Sequence, residues 1–232
     1  LCSTSAPVNL ITGLGGSPNG SGTWLSPTNQ PFAGGVFHPM VDPTGAYKYI
    51  VTGIAPCAND TGFVTVVVNT APTAGSNGTS SVCSNDGPVQ LFTALGATPD
   101  AGGTWNPGNG TYTPGAQAAG TRVYTYTVAG LSPCVSASAT VTVTERRLPV
   151  AGGDGAVTVC SNEPALNLFS RLSGTPDAGG TWSPGDPAGV FTPGTSAAGT
   201  YTYTLNGTAP CPNVSAHVVV TVIQAPNPGI AN

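Results

Sequence analysis

An eight-residue stretch that ends in tryptophan occurs twice in the chain with identical sequence. It reads Thr98-Pro99-Asp100-Ala101-Gly102-Gly103-Thr104-Trp105 and, 77 residues later, Thr175-Pro176-Asp177-Ala178-Gly179-Gly180-Thr181-Trp182. A looser copy nearer the beginning reads Ser17-Pro18-Asn19-Gly20-Ser21-Gly22-Thr23-Trp24. Three copies of one motif predict three tandem repeats, and the repeats decide how every other residue is interpreted.

The cysteines keep the same period as the tryptophans. Cys57, Cys134 and Cys211 are spaced 77 residues apart, and each tryptophan follows the first cysteine of its repeat by 22 residues. Proline-containing boundaries then predict repeat 1 at residues 1–70, repeat 2 at 71–147 and repeat 3 at 148–224, with 225–232 as the start of a next repeat or a tail. Repeat 1 lacks a lead-in strand, so we expect the chain to be a window from a longer array.

Each repeat contains two cysteines, and the repeat symmetry favours pairing within the repeat. The predicted disulfides are Cys2–Cys57, Cys83–Cys134 and Cys160–Cys211. Closing a loop of about 50 residues would stabilise each unit by roughly 4 kcal/mol in the chain-entropy model. The second cysteine lies in a loop after a Tyr-x-Tyr segment, so we expect the bridge to clip one end of a domain. Buried free thiols are the alternative, and disulfides would indicate an oxidising compartment.

Short alternating segments separated by Gly, Pro, Asn and Asp run through every repeat. In repeat 3 the predicted strands are residues 156–160, 165–169, 180–182, 189–192, 200–205 and 215–223. No segment has a helical period with caps. Six or seven short strands in about 75 residues predict an all-β chain of three Ig-like antiparallel β-sandwiches. Trp24, Trp105 and Trp182 are expected to fill the cores.

Charged residues are unusually scarce. Lys and Arg number 5 and Asp and Glu number 9, so 6% of the chain is charged and the formal net charge is −4, whereas globular chains average about 25% charged residues. Five cations cannot form a surface that follows nucleic-acid phosphates. No apolar run approaches the ~20 residues of a membrane span.

Candidate catalytic and metal-binding residues are few and do not recur. His38 and His217 occupy positions held by threonine in other repeats, and Asp100 and Asp177 are replaced by Asn19 in repeat 1, which favours turn formation over acid catalysis. The acids considered for a calcium site between modules are Asp60, Asp86, Glu145, Asp154 and Glu163. They form no clustered ligand motif. We therefore predict no catalytic residue, no metal and no cofactor.

Repeat 1 is longer than the others by four residues between Trp24 and Tyr47. The extra residues fall in the loop 25–34, which contains Phe32. Loops on a rigid scaffold commonly carry function, so Phe32 is a candidate ligand contact. The favoured alternative is that Phe32 folds back onto its own domain.

Taken together, the conserved-looking motifs of each repeat form a sequence pattern that resembles a known group of repeats. In repeat 3 it runs Cys160-Ser161-Asn162, then the Thr175 to Trp182 stretch, Gly189-Val190-Phe191-Thr192-Pro193-Gly194, Gly199-Thr200-Tyr201-Thr202-Tyr203 and Ala209-Pro210-Cys211. It resembles the Ig-like tandem repeats of very large Bacteroidota surface proteins, which are adhesins and gliding-motility-associated proteins exported by type IX secretion. The resemblance covers essentially the whole chain and is weakest in repeat 1. It implies an extracellular, non-enzymatic rod and no catalytic residue.

These observations predict a structural stalk or spacer in an extracellular adhesin or surface filament. One alternative is a carbohydrate-binding array, which would require the three tryptophans to be exposed along one line. Another is a filament subunit that assembles by strand addition between chains. The expected partners are neighbouring repeats, with surface glycans or other copies of the chain as further candidates, and neither nucleic acid nor a membrane span.

Overall fold

The computed structural model describes residues 1–227 and 229, so part of the predicted tail at 225–232 lies outside the described residues. The chain forms two compact units. The first comprises Leu1–Gly78, Phe92–Gly110 and Tyr124–Val141, and the second comprises Thr79–Leu91, Thr111–Val123 and Thr142–Asn232. Repeat 1 therefore belongs to the first unit and repeat 3 to the second, whereas repeat 2 contributes residues to both.

Repeat 1 contains six strands and two 3₁₀ turns. The strands are β1 (Val8–Asn9), β2 (Thr23–Leu25), β3 (Pro31–Phe32), β4 (Val36–Phe37), β5 (Gly45–Val51) and β6 (Asp60–Val66), and the turns are Leu10–Gly13 and Ala33–Gly35. One sheet has the order β3-β2-β5-β6, and β1 pairs with β4. The longer loop of this repeat supplies β3. Where the other repeats have a lead-in strand, repeat 1 has a single parallel bridge between Cys2 and Asn69.

Repeat 2 contains the next six strands and one 3₁₀ turn, Leu91–Ala94. The strands are β7 (Gly78–Cys83), β8 (Val89–Gln90), β9 (Thr104–Asn106), β10 (Thr111–Tyr112), β11 (Gly120–Val128) and β12 (Ala137–Arg146). Their order is β7-β12-β11-β9 in one sheet, with β8 and β10 paired in the other.

Repeat 3 repeats this plan with the 3₁₀ turn Leu168–Arg171. Its strands are β13 (Gly155–Cys160), β14 (Leu166–Asn167), β15 (Thr181–Ser183), β16 (Val190–Phe191), β17 (Gly199–Leu205) and β18 (Val214–Ile223). β13 runs parallel to β18, and the other strand pairs are antiparallel. The predicted fold class is confirmed: the chain is all-β and consists of tandem Ig-like sandwiches.

The strand predicted over 165–169 is wrong beyond Asn167. The Asn167 side chain accepts a hydrogen bond from the Phe169 N–H at 2.9 Å, which caps a 3₁₀ turn instead of continuing the strand. Asn9 caps the corresponding turn of repeat 1 by accepting from the Ile11 N–H at 3.2 Å. Asparagine favours such local capping because its side chain competes with strand pairing for backbone N–H groups.

The tryptophan motif builds the core of each sandwich. In repeat 3 the Trp182 and Tyr203 ring centroids lie 5.2 Å apart. The Tyr203 hydroxyl accepts from the Gly180 N–H at 2.8 Å and donates to the Asp177 carbonyl at 2.7 Å. A Cβ on Gly180 would lie 2.6 Å from the Tyr203 ring, so only glycine fits there. A turn that binds the hydroxyl of one tyrosine thus explains why the sequence Pro-Asp-Ala-Gly-Gly-Thr-Trp is repeated.

The same aromatic pair recurs in the other repeats. Trp24 lies 4.8 Å from Tyr49, and Trp105 lies 5.0 Å from Tyr126, between ring centroids. Trp24 and Trp182 are buried, whereas Trp105 is half-buried. Around the pair, β17 and β18 alternate inward apolar residues with outward polar or exposed ones, as a half-buried strand should.

Candidate functional site: the inter-repeat cysteine junctions

The disulfides join successive repeats, so the predicted pairing within each repeat is wrong. Cys2 bonds Cys134 and Cys83 bonds Cys211, with a Cα–Cα distance of 4.9 Å in both cases. Cys57 and Cys160 are free. In each bond, the first cysteine of one repeat therefore pairs with the second cysteine of the next.

The parallel pairing of β13 and β18 explains why repeat 3 cannot close its own disulfide. Cys160 lies opposite Ile223, at the carboxyl end of β18. Cys211 precedes Val214, where β18 begins. A strand of 10 residues spans about 30 Å, whereas the Cα atoms of a disulfide lie within about 7 Å. The two cysteines therefore occupy opposite ends of the sandwich.

The first junction places a loop cysteine, Cys134, against the isolated bridge between Cys2 and Asn69. The Ser3 N–H donates to the Asn69 carbonyl at 2.9 Å, and the Cys134 Sγ lies 3.2 Å from the same oxygen. The Asn69 side-chain amide also donates to the Ser132 carbonyl at 2.8 Å. Cys2 and Cys134 are both buried. The bond is thus surrounded by polar contacts that fix the Cys134 loop on the Cys2–Asn69 bridge.

The second junction repeats this geometry within the second unit. The Ser84 N–H donates to the Arg146 carbonyl at 2.8 Å, and the Cys211 Sγ lies 3.4 Å from that oxygen. The Ser84 hydroxyl accepts from the Leu148 N–H at 3.0 Å, which turns the chain into the following repeat. The serine after the first cysteine had no predicted role. The Cys-Ser dipeptide occurs in all three repeats and was the signal that could have identified this serine.

Asp177 connects the boundary between repeats 2 and 3 to the tryptophan motif. Its carboxylate accepts from the Val150 N–H at 2.8 Å and pairs with the Arg147 guanidinium at 2.5 Å. The Val150 hydrogen bond, followed by the one from Arg147, lowers the pKa of Asp177 below its ordinary value of 3.8. Asp100 holds Thr73 in the same way, with the Thr73 N–H donating to its carboxylate at 2.9 Å. Asp100 and Asp177, which were predicted as turn residues, therefore also hold the segments that join successive repeats.

One carboxylate is buried in β12, at the residue that directly precedes Arg146 of the second junction. Glu145 is 2% exposed and accepts hydrogen bonds from the Tyr112 hydroxyl and, at 3.0 Å, from the Gly115 N–H. Arg122 donates to the Tyr112 hydroxyl at 2.9 Å, and its guanidinium lies 4.0 Å from Glu145. The charge is thus satisfied by protein donors and is committed to a structural network.

The histidines do not form a catalytic arrangement. His38 contacts the Asp42 carboxylate at 3.3 Å from an exposed position. The His217 ring lies 3.0 Å from the Thr202 hydroxyl, and Asp154 accepts from the His217 backbone N–H and not from its ring. Among the described residues, no group of three or more His, Cys, Asp or Glu side chains could hold a metal ion.

Phe32 lies on its own domain, as the favoured interpretation of the long loop expected. It is opposite Trp24 in the β2–β3 pair, and its ring packs edge-on against Tyr47 at 4.8 Å. An open cleft of about 420 Å³ borders Phe32 and Trp24. The buried indoles of Trp24 and Trp182 do not provide the exposed row that glycan binding was expected to need.

No helix in the described part of the chain is long and apolar enough to span a membrane. No protein-family model matches the chain, and no curated protein sequence matches it. Solved structures similar to it include a fragment from the I-band of titin, at 13% identity and a TM-score of 0.44, covering 88% of each chain. Two others are immunoglobulin domains 1–4 of Sidekick-1, at 12% identity and TM-score 0.37, covering 88% of this chain and 67% of that one, and extracellular domains 3–5 of Drosophila OTK, at 11% and 0.36, covering 87% and 85%.

Proposed function

We propose that this chain is a non-catalytic structural spacer in an extracellular adhesin or surface filament. The observation that carries this function is the pair of disulfides that tie each repeat covalently to the next. Disulfides of this number fit an oxidising compartment. The resemblance to Bacteroidota surface repeats supports a cell-surface setting, and the low charge fits a surface that has only weak long-range fields.

The disulfides overlap along the sequence, and this limits how far tension can lengthen the chain. Cys83 lies before Cys134, so the shortest covalent route from Cys2 to Cys211 passes through both bonds. Its polypeptide part runs from Cys83 to Cys134, a sequence separation of 51 residues, or about 180 Å when fully extended. Without the bonds, the route from Cys2 to Cys211 follows the whole chain between them, a sequence separation of 209 residues, or about 730 Å. A spacer with these bonds would therefore lengthen far less under tension, once its repeats unfold, than the same chain without them.

Single-molecule pulling tests this role. The chain would be held by handles attached before Cys2 and after Cys211 and stretched in oxidising and in reducing buffer. We expect the oxidised chain to stop lengthening near about 180 Å between those cysteines, and the reduced chain to reach about 730 Å. The control is a Cys57→Ser/Cys160→Ser variant, which should behave like the oxidised wild type. Equal final lengths with and without reductant would contradict the spacer role.

A binding screen separates the spacer from the carbohydrate-binding alternative. We expect no retention of the chain on a panel of immobilised glycans. Retention that is lost in a Phe32→Ala variant would favour glycan recognition at the cleft beside Trp24.

A further inference from the structure

We propose that the cleft beside Phe32 in repeat 1 binds the aromatic ring of a phenylalanine side chain on a partner protein. The cleft is bordered by residues of the 3₁₀ turn Leu10–Gly13 and of β3, and its volume is about 420 Å³. In repeats 2 and 3, the chain places a phenylalanine ring of its own at the corresponding position. This binding role goes beyond the spacer role and does not depend on it.

The 3₁₀ turn of each repeat begins with a buried leucine and differs at the residue that follows it. That residue is Phe92 in repeat 2 and Phe169 in repeat 3. Their rings pack edge-on against Tyr126 and Tyr203, with 5.4 Å between ring centroids in both repeats. Repeat 1 has Ile11 at this position. The turn of repeat 1 therefore provides no ring to cover the corresponding tyrosine.

The other aromatic residue beside the cleft, Phe32, does not take the place of that ring. Its ring packs against Tyr47 at 4.8 Å, whereas the residue that corresponds to Tyr126 and Tyr203 is Tyr49. Phe32 belongs to the longer loop of repeat 1 and borders the cleft from β3. The loop therefore adds an aromatic wall to the cleft and leaves the position beside Tyr49 open.

The cleft of repeat 1 is larger than its counterpart in repeat 3, where the ring is present. The counterpart is bordered by Phe169, Trp182 and Tyr203 and has a volume of about 180 Å³. The cleft of repeat 1 is bordered by Ile11 and Trp24 at the equivalent positions and measures about 420 Å³. Since an apolar cavity of about 150 Å³ holds benzene, the additional space accommodates a phenyl ring.

The residues around the cleft favour an aromatic ring over a charged ligand or a sugar. None of the residues that the structure places around it is charged. The Tyr49 hydroxyl already accepts from the Gly22 N–H at 2.8 Å and donates to the Asn19 carbonyl. It is therefore committed within the fold and does not serve a sugar hydroxyl. The Tyr49 ring, beside Trp24 and Phe32, offers the edge-on packing that aromatic pairs prefer.

A polypeptide carries the ring in both repeats where the position is filled. Phe92 and Phe169 extend from 3₁₀ turns and remain partly exposed, with Phe92 37% exposed. The position is thus reached from the surface of the sandwich. A phenylalanine on the surface of a partner can therefore enter the cleft of repeat 1 from outside, which is why we assign a polypeptide and not a free aromatic compound.

Binding of a short peptide to the full chain tests the proposal. The probe is an acetylated and amidated Gly-Gly-Phe-Gly-Gly peptide, and its matched control has leucine in place of phenylalanine. The tryptophan indole N–H signals in NMR spectra provide one reporter for each repeat. We expect the phenylalanine peptide to shift the Trp24 signal, with half-saturation at about 1–10 mM, and to leave those of Trp105 and Trp182 unchanged. The leucine peptide should bind about two- to tenfold more weakly.

Two substitutions at one position test the location of the site. Ile11→Phe supplies the ring that repeats 2 and 3 already have, so it should abolish the shift of the Trp24 signal. Ile11→Leu is the matched control, because it keeps an aliphatic side chain of the same size, and it should retain the shift. Unchanged Trp105 and Trp182 signals in both variants would show that the fold is intact.

Toluene and methyl glucoside are further probes that separate the possible ligands. A Trp24 signal that the phenylalanine peptide leaves unchanged would overturn the proposal, as would an equal response to the leucine peptide. A shift that persists in Ile11→Phe would overturn it as well, because binding would then lie outside the cleft. Binding of toluene without the peptide would overturn the assignment to a polypeptide. A response to methyl glucoside in place of the peptide would assign the cleft to sugars and overturn the proposal.

Discussion

The first strand of repeat 2 ends at Cys83 and the first strand of repeat 3 ends at Cys160. These two strand ends share their backbone hydrogen bonds but differ in the bonding and burial of the cysteine. A serine N–H donates to the last strand at both ends, from Ser84 at 2.8 Å and from Ser161 at 2.9 Å. Cys83 is bonded and buried, whereas Cys160 is free and partly exposed. The repeat sequence therefore shapes the strand end, and the bond depends on a loop from another repeat reaching it.

The polar residues near the two ends differ as well. Repeat 2 has Glu145 and Arg147, where repeat 3 has Val222 and Gln224. Glu145 is buried in a hydrogen-bonded network, and Arg147 pairs with Asp177 across the repeat boundary. The bonded end thus has charged contacts from two positions where the other end has uncharged residues, and variants can separate their contributions from that of the disulfide.

Removing the second disulfide should have the largest effect. In the chain-entropy model, a bond that closes 128 residues stabilises the folded chain by roughly 5 kcal/mol, and measured losses are about 2–5 kcal/mol. We expect a Cys83→Ala/Cys211→Ala variant to lose stability in that range in guanidinium unfolding. The matched Cys57→Ala/Cys160→Ala variant should stay within about 0.5 kcal/mol of the wild type. Equal losses in both variants would remove the distinction between the two ends.

The Glu145 network should have the next largest effect. A Tyr112→Phe variant leaves the buried carboxylate without one donor and should cost about 1–3 kcal/mol in chemical denaturation. Adding Glu145→Val reproduces the Phe191 and Val222 pair of repeat 3, and the double variant should return to within about 1 kcal/mol of the wild type. Arg122 keeps its 2.9 Å contact with Gln117 in both. Additive losses would show that the network is not a unit.

The serines at the two ends should have equal and smaller effects. Ser84→Ala and Ser161→Ala each remove one hydroxyl acceptor, from Leu148 and Ala225 respectively. We expect each to cost about 1 kcal/mol and to speed amide hydrogen exchange at the residue that loses its acceptor. An effect confined to Ser84→Ala would mean that the Ser161 hydroxyl does not stabilise its strand end as the Ser84 hydroxyl does.

Asp177 should give the smallest effect, and it depends on pH. Its folded-state pKa is depressed, so its contribution to stability is present above about pH 3.8 and is lost as the pH falls through the lower folded value. NMR titration of the Asp177 carboxyl carbon should place its pKa below 3.8 in the wild type. Arg147→Ala should raise that pKa only partly, because the Val150 N–H is the larger cause. A pKa that Arg147→Ala does not change would contradict the ion pair across the boundary.

The repeats, the β-sandwich class and the aromatic motif could be predicted from sequence because each is encoded locally. Turn residues bound every strand, alternation marks the buried face, and glycines mark where Tyr203 and Trp182 approach the backbone. The prediction failed at Ala165–Phe169 for a local reason, since Asn167 can cap a turn as readily as it can join a strand.

The disulfide pairing could not be predicted because both pairings have the same period. Spacings of 77 residues suit a bond within each repeat and a bond to the next repeat equally well. What separates them is the parallel register of β13 and β18, which places Cys160 and Cys211 at opposite ends of the sandwich. Glu145 illustrates a second limit. Its spacing from Val143 marks an inward position, but its partners Tyr112 and Arg122 are distant in sequence.

Disulfide mapping of the oxidised chain tests the central claim most directly. The folded protein would be alkylated without reduction, digested, and its cross-linked peptides identified by mass spectrometry. We expect peptides that join Cys2 to Cys134 and Cys83 to Cys211, with Cys57 and Cys160 alkylated. Peptides that join Cys2 to Cys57, Cys83 to Cys134 and Cys160 to Cys211 would contradict the inter-repeat junctions.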